Sequence, residues 1–161
     1  MTTAIIDGDI VAYRCAAASE DTDLEICCLR ADKLMQDIIF LCEASDYKCY
    51  LTGQDNFRKK IYPEYKANRK DKPKPKWLQE TREFLIHQWF AQVSLGCEAD
   101  DLLGVNQTDK TIICSIDKDL LQIPGRHFNW VKSEFFDQSE FGGIKHFIVC
   151  CKGRYRGASH Y

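Results

Sequence analysis

The sequence predicts an α/β fold, a mostly parallel central sheet flanked by helices. Three observations carry that prediction. Short apolar runs of strand length, Ala4-Ile5-Ile6, Tyr47 to Leu51, Thr111 to Cys114 and His127 to Val131, recur along the chain with helical patterns between them. Acidic pairs follow two of these runs, in Asp7-Gly8-Asp9 and Asp117-Lys118-Asp119, and the carboxyl ends of parallel strands are where such sheets gather ligands. The length, 161 residues with 45% hydrophobic, suits a single core in a single domain.

Taken in order, Ala4-Ile5-Ile6 reads as a buried first strand whose end carries the acids. Ile10 to Ala18 follows as a helix, with Val11, Cys15 and Ala18 as its apolar stripe. Ser19 to Asp23 is a polar break, and Leu24 to Leu29 fits either a strand or the opening of the next helix. Ala31 to Ala44 is an amphipathic helix marked by Leu34, Ile38, Ile39 and Cys42. Tyr47 to Leu51 alternates as a strand closed by Thr52-Gly53. Trp77 to Val93 resumes a helix with Leu78, Phe84, Leu85 and Trp89 inward, and His87 on it reads as a partly buried packing residue. Thr111 to Cys114 is a strand, Leu120 to Ile123 a short helix stopped by Pro124-Gly125, and His127 to Val131 the last strand. Residues 135–161, with Gly142-Gly143 and scattered charge, read as an atypical, loosely packed tail to a domain spanning 1–134.

The net charge of −2 conceals a strong asymmetry. Residues 58–76 hold nine basic side chains against two acidic ones, an excess of seven positive charges. Tyr62 and Tyr65 are interleaved, and Pro63, Pro73 and Pro75 forbid one continuous helix, so this is an exposed insertion. A run of this kind is often only a solvated face; beside carboxylates it becomes a guide for an anionic polymer. The nine cysteines lack the spacings of zinc or disulfide frameworks and read as reduced, mostly buried thiols. With neither a signal-peptide pattern at Met1-Thr2-Thr3-Ala4 nor a membrane-spanning apolar run, a cytoplasmic protein is expected.

The chemistry concentrates in Glu98-Ala99-Asp100-Asp101, three carboxylates in four residues at a helix start. Glu98 and Asp101 share a face at i and i+3, and two such charges about 4 Å apart repel by roughly 4 kcal/mol at an effective dielectric near 20. A cation or a proton must offset that. The acids also suit the positive end of a helix, and Asp9 or Asp117 can cap the helix that follows it. Oxygen donors without His or Cys favour Mg²⁺ or Mn²⁺, and two such ions about 4 Å apart cleave phosphodiesters in many sites. No Gly-rich phosphate loop accompanies them, since Gly8 and Gly53 stand alone, which argues against a nucleoside-triphosphate site. His87, His127, His146 and His160 form no ligand spacing.

Five motifs in order, Ile6-Asp7-Gly8-Asp9, Phe57-Arg58-Lys59, Tyr65 to Lys70, Glu98 to Asp101 and Asp117 to Leu120, resemble those of the 5′→3′ exonuclease and flap endonuclease family, with particular likeness to small phage-type exonucleases. The likeness covers roughly residues 4 to 131. It implies a PIN-like α/β nuclease domain that cuts DNA or RNA–DNA hybrids at 5′ ends and flaps with Mg²⁺ or Mn²⁺ by a two-metal mechanism, as a monomer, in a host cytoplasm if phage-encoded. Position by position it implies metal carboxylates at Asp7, Glu98, Asp100, Asp101, Asp117 and Asp119. Arg58, Lys66 and Arg69 would hold the scissile phosphate, with Lys59, Lys60, Tyr65, Asn68 and Lys70 on the strand in a clamp over 58–76.

Two departures qualify the likeness. Many relatives carry an Asp where this chain reads Leu51-Thr52-Gly53, and whether Asp9 or Asp55 serves instead is open. Relatives also continue beyond the last strand into a further acidic cluster and a helical module, where this chain reads Lys152-Gly153-Arg154-Tyr155. A frame slip accounts for that if the gene spells these four AAA-GGG-AGA-TAC, which reads Lys-Gly-Asp-Thr one base later. The leading expectation is therefore a metal-dependent 5′ nuclease impaired by truncation. The alternatives are a non-catalytic nucleic-acid-binding remnant and a ribonuclease of the wider PIN-like group.

Overall fold

A computed structural model describes residues 1–54, 57–62, 64 and 73–145, with the backbone alone at Arg58 and Lys59. The first strand, β1 (Thr3–Asp7), is buried on both faces, with Ala4, Ile5 and Ile6 at most 1% exposed. This is why it reads as an unbroken apolar run rather than an alternation. Parallel neighbours flank it: β2 (Asp46–Leu51) on one side and β4 (Thr111–Cys114) on the other. Beyond them lie β3 (Gln92–Val93), β5 (Gly125–Asn129) and β6 (Glu134–Gln138), giving the order β3-β2-β1-β4-β5-β6. Among the described residues only the β5–β6 pair is antiparallel.

Helices cover both faces. On one, α1 (Gly8–Ala17), α2 (Leu24–Leu41) and α4 (Leu78–Gln88) bring Val11, Ala12, Ala31, Met35, Ile38 and Leu85 against Ala4, Ile6, Leu51 and Ile112. On the other, α5 (Ala99–Asn106) brings Ala99 and Leu103 against Ile5, Tyr50 and Ile113. Odd and even strand residues thus serve two separate cores, as strand periodicity requires. A five-residue helix, α3 (Phe57–Ile61), opens the basic segment. It is tied down by the Phe57 N–H, which donates to the Gly96 carbonyl at 2.7 Å.

Several elements differ from the sequence expectation. The open segment Leu24 to Leu29 is helical, so α2 is one helix of 18 residues rather than one starting at Ala31. Asp23 sets its start by accepting the Ile26 N–H at 3.0 Å. The helix expected from Trp77 to Val93 stops at Gln88, where Phe90 turns left-handed at φ 53°, and Gln92–Val93 joins the sheet instead. His87 is exposed, not partly buried. The short helix at Leu120 to Ile123 is a 3₁₀ helix, Lys118–Gln122. The strand expected at His127 to Val131 is neither the last nor so placed: β5 begins at Gly125, and β6 extends the sheet past the boundary expected at residue 134. Gly143 is buried, and a Cβ there would stand 2.5 Å from the Gln122 carbonyl oxygen, whereas most of residues 134–145 are exposed. The seven described cysteines are free thiols, five of them buried, in line with expectation.

Candidate active site

Strand order runs outward from β1 in both directions: β2 and β3 lie to one side, β4, β5 and β6 to the other. The carboxyl ends of β1 and β4 therefore flank the topological switch point, where open α/β sheets bind their ligands. Asp7 ends β1 and Ser115 follows β4. Ser115 Oγ donates to Asp7 Oδ2 at 3.0 Å and accepts the Asp117 backbone N–H at 3.1 Å, linking the Asp7 carboxylate to the backbone of the second acidic motif through one hydroxyl.

Asp7 is 2% exposed, and its Oδ1 is buried without a hydrogen-bond partner. Burial, then the negative charges of Asp100 and Asp9, push its carboxyl up to about 8. Such a group is costly unless a proton or a cation neutralises it. Asp100 reaches this neighbourhood because α5 starts beside β1. Glu98, 7% exposed, is the N-cap of α5 and forms a capping box with Asp101, whose Oδ2 accepts the Glu98 N–H at 2.9 Å. Asp117 caps the 3₁₀ helix by accepting the Asp119 N–H at 2.9 Å.

Asp9 behaves differently from the cap considered for it. Its Oδ1 forms an ion pair with Arg82 at 2.6 Å, and its carboxylate accepts the Thr52 N–H and hydroxyl. Arg82 also donates to the Thr52 carbonyl at 2.6 Å, and Thr52 Oγ1 accepts the Ala99 N–H at 3.0 Å. Thr52, Arg82 and Ser115 were not singled out by sequence reasoning. The carboxyl-end rule flags Thr52 and Ser115 once the strands are set, whereas Arg82 looks like any solvated helix residue.

Among the described residues, no three His, Cys, Asp or Glu side chains converge closely enough to hold an ion unaided. The donor chemistry nevertheless fits Mg²⁺ or Mn²⁺. Mg²⁺ keeps several waters and often takes only one or two protein carboxylates plus substrate phosphate oxygens. The orphaned Asp7 Oδ1 is the atom that fits such an ion. Beside Ser115 and Asp117 opens a cavity of about 410 Å³ whose walls include Arg14, Lys118, Lys132 and Phe135. Of the basic segment, Lys60 is described and exposed, and Arg58 and Lys59 are placed on α3 by backbone. Tyr65, Lys66, Asn68, Arg69 and Lys70 lie outside the described residues, as does Asp55.

A family model described as 5′-3′ exonuclease, N-terminal resolvase-like domain, matches residues 2–145. The chain belongs to that family. It is 27% identical over 135 residues to flap endonuclease Xni of Shewanella baltica (strain OS185), covering 78% of this chain and 52% of that protein. It is 29% identical over 151 residues to the exodeoxyribonuclease of Enterobacteria phage T3, covering 78% and 50%. This exonuclease-family chain thus spans about half the length of the curated relatives it matches. Its fold matches T5 5′-exonuclease with bound divalent zinc ions at a TM-score of 0.63 and 19% identity, covering 85% of this chain and 58% of that one. A T5 flap endonuclease in a complex with DNA and metal ions matches at 0.61 and 18%, again over 85% and 58%. The fold is PIN-like α/β, as the motifs implied. No helix among the described residues is long and apolar enough to cross a membrane.

Proposed function

We propose that this chain is a divalent-metal-dependent 5′ nuclease that hydrolyses phosphodiester bonds at 5′ ends and flaps of DNA or RNA–DNA hybrids. The observation that carries the reading is Asp7: a buried carboxylate with one oxygen unpaired, beside Asp100, at the switch point of a 5′-3′ exonuclease domain. Asp7 and Asp100 would hold Mg²⁺ or Mn²⁺, with Asp117 approached through Ser115. Glu98, Asp101 and Asp119 would complete a two-metal site when substrate is bound. An ion held there would acidify a water and stabilise the leaving oxygen. Ser115 orients Asp7 by its hydrogen bond and leaves Oδ1 for the ion. Arg58, Lys66 and Arg69 would grip the scissile phosphate, and Lys59, Lys60, Tyr65, Asn68 and Lys70 the strand, by charge and stacking. The T5 relative bound to DNA and metal ions supports the substrate class.

A second reading, a nucleic-acid-binding remnant without catalysis, is favoured by one observation: no three carboxylates converge among the described residues. Incubation with a 5′-flap DNA and Mg²⁺ separates the two. Product that disappears in Asp100→Ala is expected; retained binding without product in the parent chain would favour the remnant.

A further inference from the structure

Asp9, Arg82 and Thr52 join four elements at the mouth of the site. Arg82 projects from α4, Asp9 from the first turn of α1, and Thr52 follows β2. The hydroxyl of Thr52 receives the first N–H of α5, the helix that carries Asp100. The two nitrogens of Arg82 are divided between Asp9 Oδ1 and the Thr52 carbonyl, both at 2.6 Å. Asp9 returns both oxygens to Thr52. Behind Thr52, the Gly53 N–H donates to Ser94 Oγ at 2.9 Å, and Ser94 Oγ donates to the Cys97 carbonyl at 2.6 Å, one residue before Glu98. Both oxygens of Asp9 are thereby committed to protein donors, while Asp7 Oδ1 is left without one.

We propose that Arg82 is a positioning residue, and Asp9 its anchor rather than a metal ligand: the Arg82–Asp9–Thr52 clamp fixes the start of α5, and with it Asp100, against Asp7. The inference rests on the metal-site reading above. A guanidinium suits the task because its planar fork serves two acceptors at once, which an ammonium at the same place does not. Removing a residue that orients ligands typically weakens metal affinity 10- to 100-fold. Loss of a bystander cation near carboxylates has the opposite sign, because it leaves the site more negative and the ion more tightly held.

The test is Mn²⁺ uptake by the full chain, read from loss of the free-ion electron paramagnetic resonance signal, with thermal melts of every variant. Arg82→Lys, which keeps the charge, and Arg82→Gln are each expected to weaken Mn²⁺ binding about tenfold or more. The neutral pair Asp9→Asn with Arg82→Gln is expected to recover most of that loss, since amides can rebuild the contacts to Thr52. Full affinity in Arg82→Lys, tighter binding in Arg82→Gln, or a double variant no better than the weaker single one would overturn the proposal. The last result would return Asp9 to the ligand set. If the parent chain takes up no Mn²⁺, the metal-site reading fails first, a result distinct from normal uptake without coupling.

Discussion

A carboxylate sealed from water with one oxygen unpaired has to be neutralised by something, and for Asp7 the choice is a proton or a cation. From its ordinary 3.8 up to about 8, folded Asp7 keeps a proton that the unfolded chain has released. The folded state then binds more protons, so stability falls as pH rises through that window and levels above it. In chelator, Asp7→Asn is expected to flatten this slope and to raise the melting temperature at pH 8, at roughly 2–4 °C per kcal/mol gained. Melts followed by circular dichroism between pH 5 and 9 check this; an unchanged slope would mean that Asp7 is solvated or paired. Asp7 and Asp100 were legible in the sequence because acids next to an apolar run stand out. Arg82 was not, because Thr81 to Phe84 reads as an ordinary helix and its partners, Asp9 and Thr52, lie 73 and 30 residues away. Glu98 and Asp101 were legible as a cluster, yet only coordinates reveal that they also cap each other.

At the scale of elements, two local choices set where helices begin. Asp23 starts α2, and Asp23→Ala is expected to cost about 1 kcal/mol, read by urea denaturation, since the Ile26 N–H then loses its acceptor. Gly8 lets α1 begin directly against β2. A Cβ there would stand 2.7 Å from the Tyr50 carbonyl oxygen and 2.8 Å from Cys49 Sγ, so Gly8→Ala has to push α1 and β2 apart. A cost of about 1–3 kcal/mol is expected, together with weaker metal binding, because Asp7 and Asp9 flank the displaced residue. Wild-type stability in Gly8→Ala would show that the two elements have slack. The periodicity that revealed α1 and α2 misled at α4, where Trp89 continues the apolar pattern although the chain has turned at Phe90. A two-residue edge strand such as β3 carries no alternation to recognise.

Across the whole molecule, the alternation of strands and helices was enough to give a mostly parallel sheet, but not the order β3-β2-β1-β4-β5-β6. That order depends on which crossover covers which face, a matter of packing between distant segments. It is the order that makes the ends of β1 and β4 adjacent and turns two separate acidic motifs into neighbours of Ser115. In the proposed function the basic segment would add the long-range field for a polyanion. Lys66→Ala and Arg69→Ala are each expected to weaken 5′-flap binding and to reduce the slope of log affinity against log salt by about one. A slope that does not change would remove those side chains from the phosphate contacts. The claim on which these others depend is that a divalent cation neutralises Asp7. Calorimetric titration of the chain with Mg²⁺ tests it directly: uptake that is lost in Asp7→Asn is the expected result, and no uptake, or uptake unaltered by Asp7→Asn, would contradict it.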